Sequence, residues 1–345
     1  MTIKIQRVLS RAKKLTKNGK IKEAENLYKK TLKEHPQNEE VKKGLVNLQN
    51  IKPHQEPSRN LLQSVVDLFS NGQIKEALIE IEQLIKEYPS TPLLFNISGA
   101  CHKSNGQLDE AVKKFEHALN LKPNYAEAHY NLGVTLRELG QIDAAIKSYE
   151  SAIAVKNEYP DAHNNLGNAL LDLKRYDAAV DHFEWAVAFN PNFAAAYNNL
   201  GIANRLRGRI QEAGNNFDKA LASKPDYEEA TNYRGMIFQD LGQLDNAINY
   251  YNKALAINPN SVDAYNNIGL VLKERNEIDG ALKNFKKALS IDPNFAITYI
   301  NLSSLKQNSL GEVEIIKMQS LLGSDRLSES DRISLNFALA RTSEI

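Results

Sequence analysis

Cysteine is nearly absent from this 345-residue sequence, since Cys101 is the only one. A lone cysteine cannot form a disulfide within the chain, so the fold does not depend on an oxidising compartment and we expect a cytoplasmic protein. Long apolar runs are absent too. No stretch reaches the length of about 18 apolar residues that a membrane-spanning helix needs, and the basic N-terminus lacks the apolar core of a secretory signal. We therefore expect no membrane partner and no export by that route.

Excess charge of one sign is also missing. The chain has 43 Lys and Arg against 42 Asp and Glu, a formal net charge of +1. Such a balance gives no general attraction to DNA, RNA or an anionic membrane surface. The basic segment from Lys4 to Lys22 interleaves its charges with apolar residues at helical spacing, which favours a solvated helix face over a nucleic-acid or membrane patch. We expect no nucleic-acid partner.

Motifs for catalysis, metal binding and phosphate binding are not found. The seven histidines form no HxxxH or HExxH pattern, and no GxxxxGK[ST] loop occurs. No segment reads convincingly as a strand, which excludes the common nucleotide-binding sheets. Cys101 lies beside His102, but with no separate histidine and acid pair we interpret it as a small packed residue and not as a nucleophile. The sequence predicts no catalytic residue, metal or cofactor, and no enzyme activity.

What the sequence does contain is an internal repeat with a period of 34 residues. Three columns recur at helical spacing, so they form one stripe along each helix pair. The first column is glycine: Gly99, Gly133, Gly167, Gly201, Gly235, Gly269. The second is alanine: Ala77, Ala111, Ala145, Ala179, Ala213, Ala247, Ala281. The third is a large side chain four residues later: Ile81, Phe115, Tyr149, Phe183, Phe217, Tyr251, Phe285.

Each period is broken twice. A mid-period glycine is expected to end the first helix in a left-handed backbone conformation: Gly72, Gly106, Gly140, Gly208, Gly242. Lys174 and Asn276 replace this glycine in two periods. A proline near the end of most periods stops the second helix. The unit is therefore an antiparallel helix pair, which cannot bury its apolar stripe alone and must stack on its neighbours.

These columns resemble the tetratricopeptide repeat, or TPR. The resemblance places repeats at 5–38, 58–91, 92–125, 126–159, 160–193, 194–227, 228–261 and 262–295. The first of them has Ala12, Gly19, Ala24, Tyr28 and Pro36 in matching positions. The fold class that it implies is all-α, a right-handed TPR superhelix or α-solenoid of antiparallel helix pairs.

The flanks of the array differ from the strict period. Residues 39–57 read as one helix and a spacer with Pro53 and Pro57. After a further first helix from residue 296, two helices are predicted near 312–323 and 328–342, the second with a Ser328 to Asp331 capping pattern. The predicted domains are 1–57, 58–307 and 308–345, and the last helices are expected to cap the array or to pair with another copy of the chain.

Asparagine forms two neighbouring columns on the first helices. We name the first column the asparagine ladder: Asn131, Asn165, Asn199, Asn267, Asn301. The preceding column comprises Asn96, Asn164, Asn198, Asn232 and Asn266, and Tyr233 interrupts the ladder. Asparagine is a mediocre helix former, so the enrichment needs another cause. The ladder is similar to that of the TPR region of O-linked N-acetylglucosamine transferases, which implies that it lines the concave groove and pairs with the backbone of an extended peptide.

Two alternatives remain open. The asparagine amides either bind a ligand or bridge adjacent helices, and codon composition is a further cause of asparagine enrichment. The flanks also resemble the TPR portion of bacterial proteins that continue into a sulfotransferase domain, without its PxSGTT-like loop. We therefore expect a scaffold that binds a protein or peptide, or else the substrate-recruiting arm of a sulfotransferase-type or glycosyltransferase-type enzyme whose catalytic domain lies outside this chain.

Overall fold

Helices account for all regular secondary structure in the part of the chain that the structure describes. This computed structural model describes residues 2–17, 21–49, 57–305, 311–323, 327 and 329–343, which contain 20 α-helices and no strand. The chain divides into two compact units, Met1–Thr135 and Leu136–Ile345. The boundary falls within α8, whereas the predicted divisions after residues 57 and 307 remain predictions.

The first unit holds the opening helices. These are α1 (Thr2–Lys17), α2 (Ile21–Glu34), α3 (Glu39–Gln49), α4 (Arg59–Ser70), α5 (Ile74–Glu87), α6 (Pro92–Ser104), α7 (Leu108–Leu121) and most of α8 (Ala126–Glu138). Ala12, Ala24 and Tyr28 are buried together in one cluster, as the isolated first repeat requires. Gly19 of the first repeat and Pro53 of the predicted spacer lie outside the described residues.

The second unit continues the same alternation. Its helices are α9 (Ile142–Val155), α10 (Pro160–Asp172), α11 (Tyr176–Phe189), α12 (Ala194–Leu206), α13 (Ile210–Ser223), α14 (Glu228–Asp240), α15 (Leu244–Ile257), α16 (Val262–Glu274), α17 (Ile278–Ile291), α18 (Ala296–Ser303), α19 (Glu312–Leu322) and α20 (Glu329–Ser343). Helices α10 to α17 pack as four consecutive hairpins, which confirms the predicted helix pairs.

The turn inside each hairpin has the left-handed backbone that the mid-period glycine predicts. All five of these glycines have positive φ, between 70° and 76°. Lys174 (φ 58°) and Asn276 (φ 62°) adopt the same conformation without being glycine. The hairpin geometry therefore overrides the local preference of Lys174, at a cost of about 1–2 kcal/mol.

The glycine column exists because an aromatic ring of the second helix presses on it. A Cβ added at Gly167 would lie 2.5 Å from Cε1 of Phe183, and one at Gly201 would lie 2.7 Å from Cε1 of Phe217. No real Cβ tolerates that distance, so the ring and the glycine require each other. The first full repeat of the array makes the opposite exchange, since Val65 replaces the glycine where Ile81 replaces the ring.

The two predicted C-terminal helices are confirmed as α19 and α20, and they cover the last repeat. Met318 of α19 and Leu335 of α20 are fully buried, in the same cluster as Phe285 and Leu302 of the array. The predicted cap at Ser328 lies outside the described residues.

Candidate functional site

The first helices of the repeats form a continuous layer in the second unit. Helix α12 contacts α10 and α14, and α14 contacts α16. Each first helix presents one stripe to solvent. On α10 this stripe consists of Asp161 and Asp172, which are exposed, with Asn165 and Asn168 half-buried between them. The ladder position therefore lies in the middle of the accessible face of the layer.

Ladder amides bond to the asparagine of the preceding repeat. Asn199 Nδ2 donates to Asn164 Oδ1 at 2.9 Å, and Asn267 Nδ2 donates to Asn232 Oδ1 at 3.2 Å. The same bond joins Asn301 to Asn266 at 2.8 Å and, within the first unit, Asn131 to Asn96 at 3.1 Å. The helix-bridging role that the sequence left open is thus present at Asn131, Asn199, Asn267 and Asn301. Asn165 Oδ1 accepts from Asn164 Nδ2 at 3.4 Å.

Bridging uses only part of each ladder amide. A primary amide has two N–H donors and a carbonyl acceptor, and the bridge takes one N–H. Asn199 and Asn301 are half-buried, so the rest of each of these two amides is accessible in part, and Asn165 is half-buried as well. Asn267 is the least accessible, at 8% exposure, and its Oδ1 also accepts from Asn266 Nδ2 at 3.5 Å.

Tyr233 breaks this pattern and leaves a buried amide without a partner. It occupies the ladder position of α14, where an asparagine would reach Asn198 of the preceding repeat. Asn198 is 0% exposed, and neither its Nδ2 nor its Oδ1 has a hydrogen-bond partner among the described residues. Tyr233 instead stacks on Phe217, with ring centroids 5.4 Å apart and planes inclined by 3°. Sequence reasoning noted the interruption but not the unpaired amide beneath it.

Ion pairs link the same helices at the other end of the stripe. Arg205 binds Asp240 with two bonds, Nε to Oδ2 at 2.6 Å and Nη2 to Oδ1 at 3.1 Å. Arg137 Nε donates to Asp172 Oδ2 at 2.9 Å. The bonds to Asp240 raise the pKa of Arg205, so this cation stays fully charged and fully matched. The sequence signal for these pairs is an arginine and an aspartate 35 residues apart on adjacent first helices.

The candidate histidines have structural roles. His129 Nε2 lies 2.9 Å from the carbonyl oxygen of Pro123, and His163 Nε2 lies 3.2 Å from that of Asn157. Tyr299, at the same repeat position, donates its hydroxyl to the equivalent carbonyl oxygen, of Pro293, at 3.0 Å. His163 Nδ1 also lies 3.1 Å from His182 Nδ1, and burial lowers the pKa of both rings.

Cys101 is buried, and its thiol is a poor nucleophile. Burial raises the pKa of its thiol to about 11, so the nucleophilic thiolate is scarce at neutral pH. Within residues 2–343, wherever the structure is described, no group of three His, Cys, Asp or Glu side chains could hold a metal ion. In that same part of the chain no helix combines the length and apolar character required to cross a bilayer.

Comparison with known families finds repeats along much of the chain. A "TPR repeat" model matches residues 102–137, 135–174 and 235–274. Of two "Tetratricopeptide repeat" models, one matches residues 160–193 and 262–295, and the other matches residues 193–224. Together they cover residues 102–224 and 235–295, more than half of the chain, and describe repeats and not a catalytic domain. No functionally curated protein matches the chain.

Solved structures share the fold at low sequence identity. A chain from the crystal structure of the APC/C hetero-tetramer Cut9–Hcn1 aligns at 18% identity with a TM-score of 0.58. The alignment covers 88% of this chain, and this chain spans 55% of the length of the matched chain. A tetratricopeptide-repeat protein of Parabacteroides merdae aligns at 21% identity and a TM-score of 0.56, over 70% of this chain and 96% of its own. PilW, described as a type IV pilus biogenesis factor, aligns at 21% identity with a TM-score of 0.55. The alignment covers 63% of this chain and 100% of PilW.

Proposed function

Because the chain belongs to the tetratricopeptide-repeat family, we propose that it is a protein-interaction scaffold whose first-helix layer binds an extended peptide. One observation carries the proposal: the ladder residues Asn165, Asn199 and Asn301 lie half-exposed along the middle of the accessible stripe of that layer. In the second unit the proposed binding residues are Asn165, Asn199, Asn267 and Asn301. Asn131 occupies the same position in the first unit, and its role in binding stays a prediction.

The helix-bridging bonds favour this role, since they hold the amides in place before a ligand arrives. An amide whose N–H and carbonyl groups a ligand can reach matches the donor and acceptor of a peptide bond. Each such hydrogen bond contributes about 0.5–1.5 kcal/mol net. Because Asn199 is already fixed on Asn164 at 2.9 Å, little side-chain freedom is lost when a peptide binds.

Selection of peptides tests the proposal. A phage-displayed library of random peptides is selected against the full chain, and the affinity of the enriched peptides is measured by fluorescence anisotropy. Asn165→Ala with Asn199→Ala should weaken binding about five- to thirtyfold, the effect of losing about one to two kcal/mol. Asn198→Leu is the matched control, because Asn198 is fully buried and should leave affinity unchanged.

Loss of binding must be separated from loss of folding. Circular dichroism melting of each variant gives this control, because Asn199→Ala also leaves Asn164 Oδ1 unpaired. Unchanged peptide affinity in the folded double variant would contradict the ladder's proposed role. Enrichment of no peptide at all would contradict peptide binding as the function.

Self-association through the C-terminal helices is a second proposed activity. Val313 of α19 and Phe337 of α20 are 77% and 73% exposed, and a cavity of about 540 Å³ opens between α17, α18 and α19. One chain thus carries both exposed apolar side chains and an apolar groove. The exposed side chains of one copy can therefore pack into the groove of a second copy, and the reverse. Light scattering should give a dimer mass that Phe337→Glu reduces to that of a monomer; a monomeric wild-type chain would contradict this proposal.

The recruiting-arm alternative and the cytoplasmic location stay predictions. The gene supplies a direct test of the first, since an in-frame PxSGTT-like loop after codon 345 would support a sulfotransferase-type enzyme. Its absence from the open reading frame would count against that alternative.

A further inference from the structure

The interruption of the asparagine ladder at Tyr233 lowers the stability of the fold, so its presence needs another explanation. An asparagine at this position would donate to Asn198 Oδ1, as Asn199 Nδ2 donates to Asn164 Oδ1 at 2.9 Å. Tyrosine instead leaves both amide atoms of Asn198 buried and unpaired among the described residues, and a buried polar group without a partner costs stability. Departures of this kind are expected where function and stability conflict.

Two carboxylates flank Tyr233 on the accessible face. Glu229 lies one helical turn before it on α14, so both side chains are on one side of that helix. Asp263 lies one turn before Asn267 on α16, and the bond from Asn267 to Asn232 at 3.2 Å holds this face of α16 against the residue preceding Tyr233. Both acids are exposed.

Two carboxylates and one already paired cation act on Tyr233. Burial first, then the charges of Glu229 and Asp263, raise the pKa of Tyr233, while Arg205 has a smaller, opposite effect. Arg205 is bound with two bonds to Asp240, at 2.6 and 3.1 Å. Glu229 Oε2 accepts one long hydrogen bond, from the neutral hydroxyl of Tyr227 at 3.4 Å.

An aromatic ring between two carboxylates is suited to a cationic side chain. The ring face attracts a cation through its quadrupole, and the carboxylates add charge-assisted hydrogen bonds. We propose that Tyr233, Glu229 and Asp263 form a subsite for a Lys or Arg side chain of the bound peptide. This subsite rests on the proposed function, and it gives the otherwise sequence-tolerant ladder a fixed point that sets the position of the peptide.

The peptide selection described above tests this inference when it is repeated with matched variants. Peptides enriched by the wild-type chain should share a Lys or Arg at one position. Replacing that residue by norleucine should weaken binding to the wild-type chain about tenfold. The same replacement should have no effect on the Glu229→Gln, Asp263→Asn variant, whereas Glu184→Gln, an exposed acid on α11, should behave as the wild type.

The outcomes separate this inference from the proposed function. Enriched peptides without a shared basic residue would overturn the subsite and leave peptide binding in place. A norleucine effect of equal size in the double acid variant would also overturn it. Failure to enrich any peptide would overturn both proposals. Tyr233→Leu, which keeps an apolar side chain on Phe217, should lose the preference for a basic residue while its melting curve shows that it is folded.

Discussion

The unpaired amide of Asn198 predicts that removing a polar group will stabilise this protein. Asn198→Leu replaces a fully buried carboxamide, whose two polar atoms have no partner among the described residues, with an apolar side chain of similar branching. Releasing the desolvation cost of an unpaired buried group is worth about 1–3 kcal/mol, and leucine is the better helix former by about 0.5 kcal/mol. The packing cost of the slightly larger leucine side chain cancels part of this gain, so we expect a net stabilisation of about 1–2 kcal/mol.

The control for Asn198→Leu is the same substitution one repeat later. Asn232 occupies the equivalent position, but its Oδ1 accepts from Asn267 Nδ2 at 3.2 Å. Asn232→Leu therefore removes a bond and leaves a buried donor unpaired, which should destabilise the protein by about 1–3 kcal/mol. Urea unfolding followed by circular dichroism gives both midpoints. The reasoning is refuted if the two substitutions shift the midpoint in the same direction and by the same amount.

Three further predictions concern the repeat itself. Gly201→Ala should destabilise by about 1–3 kcal/mol because its Cβ would lie 2.7 Å from Phe217, and adding Phe217→Leu should recover part of this in urea unfolding. Lys174→Gly should stabilise by about 1–2 kcal/mol, since φ is 58° there; an unchanged midpoint would contradict left-handed strain. Burial lowers the pKa values of His163 and His182, so their contribution to the free energy of unfolding is present above pH ~6.5 and is lost as pH falls through the folded pKa values. The melting temperature should therefore drop on acidification, and it should drop less in His163→Tyr.

The helix pairs could be predicted from the sequence because each column is dictated by a local contact. A glycine is required wherever a ring from the second helix lies against the first, as at Gly167 and Phe183. The hairpin turn could also be placed at Lys174 and Asn276, since the period is stronger than the preference of either residue. The division into units at Thr135 could not be predicted, because the repeat continues through α8 without any change in its columns.

The ladder shows where sequence reasoning stops. Ligand binding and helix bridging both require a column of amides, so the columns alone could not distinguish them. The bridging bonds join residues 35 apart, one more than the period, because the donor lies one column after its acceptor. Only the geometry of adjacent helices shows which amides meet, and only it shows that Asn198 meets none among the described residues.

The central claim is that ladder amides bind a peptide through its backbone. The most direct measurement is the affinity of an enriched peptide before and after N-methylation of its peptide bonds, which removes the N–H donors and leaves the side chains unchanged. Each donor that pairs with an amide of Asn165, Asn199 or Asn301 is worth about 0.5–1.5 kcal/mol, so methylation at two such bonds should weaken binding about five- to hundredfold. Unchanged affinity of the methylated peptide would contradict the account.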